Sequence, residues 1–293
     1  MNENASALCW FNGEIMPVED ARIPVMDHAV LYGDGIFEGI RFYNRRAFRL
    51  QQHLDRLNES ARVVQLPLAL DNEGLSNAIN ELIDAFDADD GYLRLVVTRG
   101  EGPMGLDPAP CRNSNLFIIA AQLTYVRPEK RAQGIRAVIA ATRRLPVDGL
   151  DPRVKSLNYL NHILARMEAN YANAQEAILL NASGHVTEGT ADNVFIVKNG
   201  VLATPPVTDG ALDGITRRVI IELAQEMKIE FKEKTLSPYD LYTADECFLT
   251  GTGAELIPVR ELDGRELKQC PGGVYRQLEQ RFSELVQRET GSH

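Results

Sequence analysis

Three kinds of residue in this chain could act on a small molecule, and they lie far apart in sequence. Lys155, in DPRVKSLNYLNHILARMEAN, carries an amine that can attack a carbonyl once it is neutral. Behind it Leu157, Leu160, Ile163, Leu164 and Met167 repeat with helical spacing, so a helix is expected to begin near Ser156 with that serine as its cap. A lysine just before a helix start meets the positive end of the dipole, which disfavours the charged amine and favours the neutral one. Glu188, in HVTEGTADNVFIVKNG, stands among small residues before an apolar strand, where it either faces water or is held under the fold to meet a cation. GALDGITRRVIIELAQ puts Gly214, Ile215 and Thr216 at the mouth of a helix, where backbone N–H groups and a hydroxyl make a phosphate seat. FLTGTGAELIPV adds a second loop of small residues with Thr252 and Gly253, and Arg56 can supply a positive charge.

Taken singly, each of these has a plainer reading, since most lysines are solvated surface charges and many helix starts bind nothing. Together, a lysine amine, a carboxylate and a phosphate seat are the parts that pyridoxal phosphate needs. They serve its imine, its charged ring nitrogen and its anchored phosphate.

Two other motifs lead nowhere. Gly100, Gly102 and Gly105 spell a dinucleotide-binding GxGxxG after the strand GYLRLVVTR, yet Pro108 and Pro110 fall where a helix must follow, and no acidic strand end comes about 20 residues on. Residues 100–111 are therefore expected to be a loop. DADDG at 87–91 resembles the start of a calcium loop, but Thr98 stands where the bidentate glutamate belongs, so a solvated helix end is expected.

The elements that must position these residues fall into two groups. LCWFNGEIMPV reads as a hairpin turning at Asn12-Gly13, and GIFEGIRFYNRRAFRL as a second turning near Asn44 to Arg46. Leu54, Leu57, Ala61 and Val64 mark one helix face, and Leu75, Ile79, Leu82, Ile83 and Phe86 mark another. GYLRLVVTR and NLFIIAAQL are strands. This order predicts a small α+β domain over residues 1–122. TYVRPEKRAQG, polar and broken by Pro128 and Gly134, places an interdomain linker at 123–133. Over 134–293 the strands AILL, NVFIVKNGVLAT, IEFKEKTL and ECFLTG alternate with helices at 156–171, 215–227 and about 272–289, which predicts a larger α/β domain.

Bulk properties limit the partners. The chain has 293 residues, 44% of them hydrophobic and 25% charged, as in ordinary globular domains. A net charge of -10 repels nucleic acid and anionic membranes on average, leaving small molecules as the expected partners. Cys9, Cys111, Cys247 and Cys270 are widely spaced, and the five histidines form no metal-ligand pattern, so a reducing compartment and no metal are expected. The start of the chain lacks a basic region followed by an apolar core, and no run is long enough to span a bilayer, so the expected location is the cytoplasm.

FNGEIMPVEDARIPVMDHAVLYGDGIFEGIRFY, HLDRLNESA, KSLNYLN, TEGTADNVF, ALDGITR and FLTGTGAELIPV together resemble, in order and over nearly the whole chain, the motifs of class IV aminotransferases, most closely the branched-chain amino acid aminotransferases. That resemblance implies the fold type IV architecture shared with D-amino acid aminotransferase, a pyridoxal phosphate cofactor, and a homodimer or higher homo-oligomer. It implies transfer of an amino group from leucine, isoleucine or valine to 2-oxoglutarate. Lys155 matches the family's Schiff-base lysine and Glu188 the partner of the pyridine nitrogen. Arg56, Ile215, Thr216 and Thr252 match its phosphate-binding positions, Tyr159 the tyrosine on the phenolic oxygen, and Leu212 a residue packed on the ring. Asp213 replaces a proline common before GIT and is expected to cap the helix.

For the substrate, Phe37, Gly39, Tyr92 and Arg94 match pocket positions, with Thr252 and Gly253 of the GTG loop beside the α-carboxylate. Tyr32 and Leu106 match residues lent by a neighbouring subunit, and Tyr125 matches a further pocket tyrosine after a one-residue gap. The resemblance also admits a D-amino acid aminotransferase, although Ser114 stands where its carboxylate-binding histidine belongs, and an aminodeoxychorismate lyase. A nicotinamide-dependent oxidoreductase using GEGPMG and a silent small-molecule binder are the rivals from other classes.

Overall fold

The computed structural model describes residues 7–123 and 128–291. The chain divides into two compact units. One takes the residues up to Leu123 together with Val154–Asn158 and those from Val286 onward; the other takes Thr124–Arg153 and Tyr159–Leu285. The architecture is α+β in the first unit and mixed α/β in the second.

The first unit runs β1 (Leu8–Phe11), β2 (Glu14–Pro17), α1 (His28–Tyr32), β3 (Gly35–Tyr43), β4 (Arg46–Ala47), α2 (Leu50–Val63), α3 (Asn72–Ala85), β5 (Gly91–Thr98) and β6 (Leu116–Ala121). Its six strands form an antiparallel sheet in the order β2-β1-β6-β5-β3-β4. Both expected hairpins form. Asn12 and Gly13 have φ of 48° and 106°, and Asn44 and Arg45 have φ of 46° and 60°. Two positive φ values in succession suit the right-handed twist of the flanking strands. One sheet face, with Ile36, Ile40, Phe42, Leu93, Leu95 and Val97, packs with Leu54 and Leu57 of α2 and Leu75, Ile79 and Leu82 of α3. These are the helix faces that the spacing predicts.

The second unit runs α4 (Pro128–Gln133), β7 (Ile135–Arg143), α5 (Leu160–Tyr171), β8 (Glu176–Leu180), β9 (Val186–Glu188), β10 (Asn193–Lys198), β11 (Val201–Thr204), α6 (Ile215–Glu226), β12 (Phe231–Glu233), α7 (Pro238–Tyr242), β13 (Glu246–Gly251), β14 (Glu255–Leu262), β15 (Arg265–Glu266) and α8 (Gly273–Thr290), whose last residues count with the first unit. The strand order is β12-β11-β10-β13-β14-β7-β8-β9, and β9 returns to pair with β10 at Asn193 and Glu188. Six strands thereby close into a ring around Ile178, Val194, Ile196, Leu249, Ile257 and Val259, while β11 and β12 extend it at one side. The stretch expected to be the interdomain linker contains α4, and residues 124–127 lie outside the described residues. Residues 100–111 form a loop without helix, as their prolines require.

One local expectation fails. The helix after Lys155 begins at Leu160, with Tyr159 rather than Ser156 at its N-cap. Residues 155–157 are not helical because β3 takes their backbone groups: Phe37 N donates to Lys155 O and Leu157 N to Gly35 O, both at 2.9 Å. Ser156 bridges Ile36. Lys155 is thus five residues from the first helical residue, and the dipole of α5 does not account for its placement. The apolar stripe of α5 also faces the other way from a core stripe. His162, Ala165 and Ala169 are buried, whereas Leu160 is 69% exposed and Ile163, Leu164 and Met167 are exposed with it. Among the described residues, no helix is long and apolar enough to cross a membrane.

Candidate active site

In the first unit, the strand pair β3–β5 and the short segment Val154–Asn158 place the candidate residues. Antiparallel register sets Gly39 opposite Arg94 and Phe37 opposite Val96, so Phe37, Gly39, Tyr92 and Arg94 lie on one face of the sheet. The Phe37 ring carries the Arg94 guanidinium at 4.3 Å from its centroid and Lys155 Nζ at 4.4 Å. Such distances are those of cation–π contacts. The Tyr92 hydroxyl lies over Gly39, where an added β-carbon would collide with it and displace the ring. Lys155 itself is fixed through its backbone, its carbonyl bonded by Phe37 N and its N–H donating to Ser60 Oγ at 3.2 Å.

The opposite face of β3 continues the core, with one exception. Ile36, Ile40 and Phe42 are apolar, but Glu38 sits between them fully buried. Both its oxygens meet Arg56, at 2.8 Å from Nε and 2.8 Å from Nη2, and His53 Nδ1 adds a third contact at 2.8 Å. Burial by itself raises a carboxyl pKa; here the Arg56 charge and the His53 bond outweigh it and hold Glu38 far below the carboxylate range. Burial holds His53 below its usual value, with the Glu38 bond working against it. Arg56, expected at a phosphate, is therefore anchored by a carboxylate that the sequence reading did not single out.

In the second unit, the ring closure between β9 and β10 presents Glu188. It is buried, and its Oε1 accepts from Arg144 Nε at 2.7 Å while its Oε2 accepts from Leu212 N at 2.8 Å. His162 Nε2 lies 3.6 Å from Oε1, beyond hydrogen-bond range. Burial pushes the Glu188 carboxyl up, but the Arg144 charge, with His162 and the Leu212 N–H, brings it below its ordinary value. Tyr159, at the N-cap of α5 and not one turn inside it, stacks on His162 with centroids 4.3 Å apart.

Helix α6 has Gly214 at its N-cap, which offers no side-chain acceptor, and begins with buried Ile215 and Thr216. The expected cap by Asp213 does not form. Its carboxylate turns to Arg218 at 2.7 Å and Arg217 at 3.7 Å, so two arginines of the same helix offset its charge. A β-carbon at Gly214 would fall on Asn193 Oδ1 and displace that side chain, whose Nδ2 donates to Leu212 O at 2.8 Å. Thr252 and Gly253 form the tight turn between β13 and β14, which Arg131 grips by donating to the carbonyls of Ala254 at 2.9 Å and Leu256 at 3.2 Å.

Tyr32 and Leu106 lie on the first unit's surface, Leu106 being 83% exposed, and the Tyr32 hydroxyl accepts from Gly105 N at 2.8 Å, which ties the 100–111 loop to α1. Tyr125 lies outside the described residues.

The family model for class IV amino-transferases matches residues 35–262, which span all of these positions except Tyr32. The chain belongs to the class IV aminotransferases. Within that family it is 49% identical over 278 residues, 94% of this chain and 95% of the relative, to a Methanocaldococcus jannaschii protein provisionally named a branched-chain-amino-acid aminotransferase. The crystal structure of the Escherichia coli branched-chain amino acid aminotransferase superposes with a TM-score of 0.93 at 37% identity, covering 97% of this chain and 96% of the other. That of the branched-chain amino acid aminotransferase from Thermobaculum terrenum, in its PLP-bound form, gives 0.85 at 32% identity and covers 95% and 93%.

Class IV aminotransferases use pyridoxal phosphate, and two observations fit this chain to it. The α6 start, capped by a glycine without a side-chain acceptor, suits a phosphate, and a buried carboxylate held ionised suits a protonated ring nitrogen. Four residues escaped the sequence reading: Glu38, His53, Arg144 and His162. Strand alternation could have found Glu38, because IFEGIRFY puts it in register with Ile36, Ile40 and Phe42. Arg144 and His162 carry no such local sign.

Proposed function

We propose that this chain moves the amino group between branched-chain L-amino acids (leucine, isoleucine, valine) and 2-oxoglutarate. The observation that carries the reading is the Phe37 ring with Arg94 at 4.3 Å, an apolar surface and a cation side by side on one sheet face. The ring suits a branched alkyl side chain, and the guanidinium suits the side-chain carboxylate of glutamate or 2-oxoglutarate. The branched-chain relatives at 38–49% identity support the same substrate class.

Pyridoxal phosphate, when bound, supplies the electron sink that allows the Cα–H bond of the amino acid to break. In this reading Arg56, Ile215, Thr216 and Thr252 hold its phosphate. Glu188 keeps the ring nitrogen protonated, Tyr159 meets the phenolic oxygen and Leu212 packs on the ring. Lys155 Nζ would hold the cofactor covalently and, as a free amine, would carry the proton taken from Cα. Tyr92 and the Thr252–Gly253 turn orient the α-carboxylate, and Phe37, Gly39 and Arg94 receive the side chain.

A homodimer or higher homo-oligomer in the cytoplasm belongs to the same reading. The outward stripe of α5, continued by Tyr171, and the exposed Val30, Met104 and Leu106 beside Tyr32 are apolar surfaces of the kind another copy covers. Tyr32 and Leu106 then complete the neighbouring copy's pocket.

A panel of L- and D-amino donors tests the reading. L-Leucine, L-isoleucine and L-valine should each support 2-oxoglutarate-dependent turnover, and D-alanine should not. Arg94→Ala should cost the glutamate half-reaction about tenfold or more, the loss of a charged hydrogen bond worth roughly 1.5–3 kcal/mol, while the leucine half-reaction loses less. A preference for D-alanine, or equal losses in the two half-reactions, contradicts the assignment.

A further inference from the structure

A buried carboxylate on an otherwise apolar strand face calls for a reason. Glu38 lies between Ile36 and Ile40, fully buried, and a lone ionised carboxylate there would be strongly destabilising. Arg56 offsets that cost, yet a buried ion pair is often no better for stability than apolar side chains of the same volume. The geometry points to another use. Glu38 engages the guanidinium along one edge, through Nε and Nη2, each at 2.8 Å. A planar fork held on that edge has its rotation fixed and turns its Nη1 side away from the carboxylate. His53 Nδ1, at 2.8 Å from the same carboxylate, prevents Glu38 from swinging with the arginine.

Spacing on α2 extends the point. His53, Arg56 and Ser60 follow at i, i+3 and i+7, so they share one helix face. Ser60 Oγ takes the Lys155 N–H at 3.2 Å, and Phe37, next to Glu38 on β3, binds the Lys155 carbonyl at 2.9 Å. One strand and one helix face therefore set both the backbone of the lysine and the plane of the arginine. A ligand whose reactive aldehyde and phosphate are a fixed distance apart requires that pair to be held in mutual register.

We propose that Glu38 is a positioning residue for phosphate recognition: it fixes the orientation of Arg56, with His53 as its brace, so that the guanidinium presents a set edge to the cofactor phosphate. This rests on the reading of Arg56 as a phosphate ligand. The alternative use of the carboxylate, simple neutralisation of a buried cation, makes the opposite forecast and can be separated from it.

The test compares pyridoxal phosphate with pyridoxal, which lacks the phosphate, as ligands of the full-length protein freed of cofactor. Glu38→Asp keeps the charge but shortens the reach, so it cannot hold both guanidinium nitrogens and His53 at once. It should weaken pyridoxal phosphate by about tenfold while leaving pyridoxal within about twofold, the scale expected for one misplaced charged hydrogen bond. His53→Asn, which removes the brace and keeps the pair, should change the same ratio in the same direction by less. On an Arg56→Ala background, Glu38→Asp should have no further effect on the ratio.

A wild-type ratio in Glu38→Asp, with tighter pyridoxal phosphate binding in Glu38→Gln, would show that the carboxylate only neutralises charge. Equal weakening of both ligands would show a purely structural role, and an effect that persists without Arg56 would place its action elsewhere. An unchanged ratio in Arg56→Ala itself would instead remove the phosphate role of Arg56, and with it the basis of the proposal.

Discussion

The two units each bury one carboxylate beside an arginine and a histidine, and the two groups are arranged for different work. Glu38 is saturated by its own neighbours, with Arg56 on both oxygens and His53 at 2.8 Å. Glu188 has one arginine nitrogen at 2.7 Å and one backbone N–H at 2.8 Å, while its histidine stands off at 3.6 Å. A carboxylate offers about four lone-pair sites, so two close donors leave capacity for another N–H. Both groups are held ionised against the effect of burial. The difference is where the negative charge is directed: Glu38 is committed to an arginine of its own unit, and Glu188 keeps acceptor capacity beyond Arg144 and Leu212 N.

The largest effect expected from this contrast is at the amine that the first unit fixes by its backbone. In the proposed function the group of that unit that exchanges protons with the substrate is Lys155. Lys155→Ala should abolish transamination, since the proton transfer alone is worth roughly 10²–10⁴-fold. The variant should still bind pyridoxal phosphate noncovalently. Borohydride reduction of the wild type followed by peptide mapping should leave the pyridoxyl group on Lys155; a label on another lysine would refute the assignment.

A smaller effect belongs to the open carboxylate. Glu188→Gln keeps the shape and the bond from Leu212 but removes the charge that, in the proposed function, stabilises a protonated ring nitrogen. Loss of a charged hydrogen bond worth roughly 1.5–3 kcal/mol, felt mainly in the transition state, should slow Cα–H cleavage at least about tenfold. Rapid-mixing half-reactions with deuterated and protiated L-leucine measure that step. Wild-type rates with an unchanged isotope effect would show that Glu188 is structural, and the distinction from Glu38 would collapse.

What was legible in the sequence follows the range of the interactions. The Asn12-Gly13 turn needs only its own φ values, and the faces of α2 and α3 only their helical period, so both could be read locally. The α5 stripe was visible as a period, but periodicity does not say whether a stripe meets the core or another molecule, and here the alanines went inward. The start of that helix was misplaced because β3, over a hundred residues away, takes the backbone bonds of residues 155–157. The ring closure of β9 on β10 is likewise nonlocal. For the candidate site, Lys155, Glu188 and the GIT and GTG loops are weak signals singly and stand out through their co-occurrence. Arg144 and His162 become significant only when the fold brings them to Glu188.

The smallest expected effect is on acid stability, and it probes both carboxylates with one measurement. Each has a folded-state pKa below its unfolded value of about 4.3. The stability that each contributes is therefore fully present above that unfolded value and is lost as pH falls toward the folded one. Across that window the unfolded chain binds up to one more proton per group, a slope of at most about 1.4 kcal/mol per pH unit for each. Glu38→Gln and Glu188→Gln should each flatten the pH dependence of the urea-unfolding free energy between about pH 5 and 3 by part of that amount. The slope is the useful quantity, because either variant also leaves an arginine without its partner and lowers stability at every pH. A proton count read from the slope is unaffected by that constant loss. If Glu38→Gln keeps the wild-type slope, Arg56 does not hold that carboxyl ionised; if only Glu188→Gln keeps it, Arg144 has failed to do in the second unit what Arg56 does in the first.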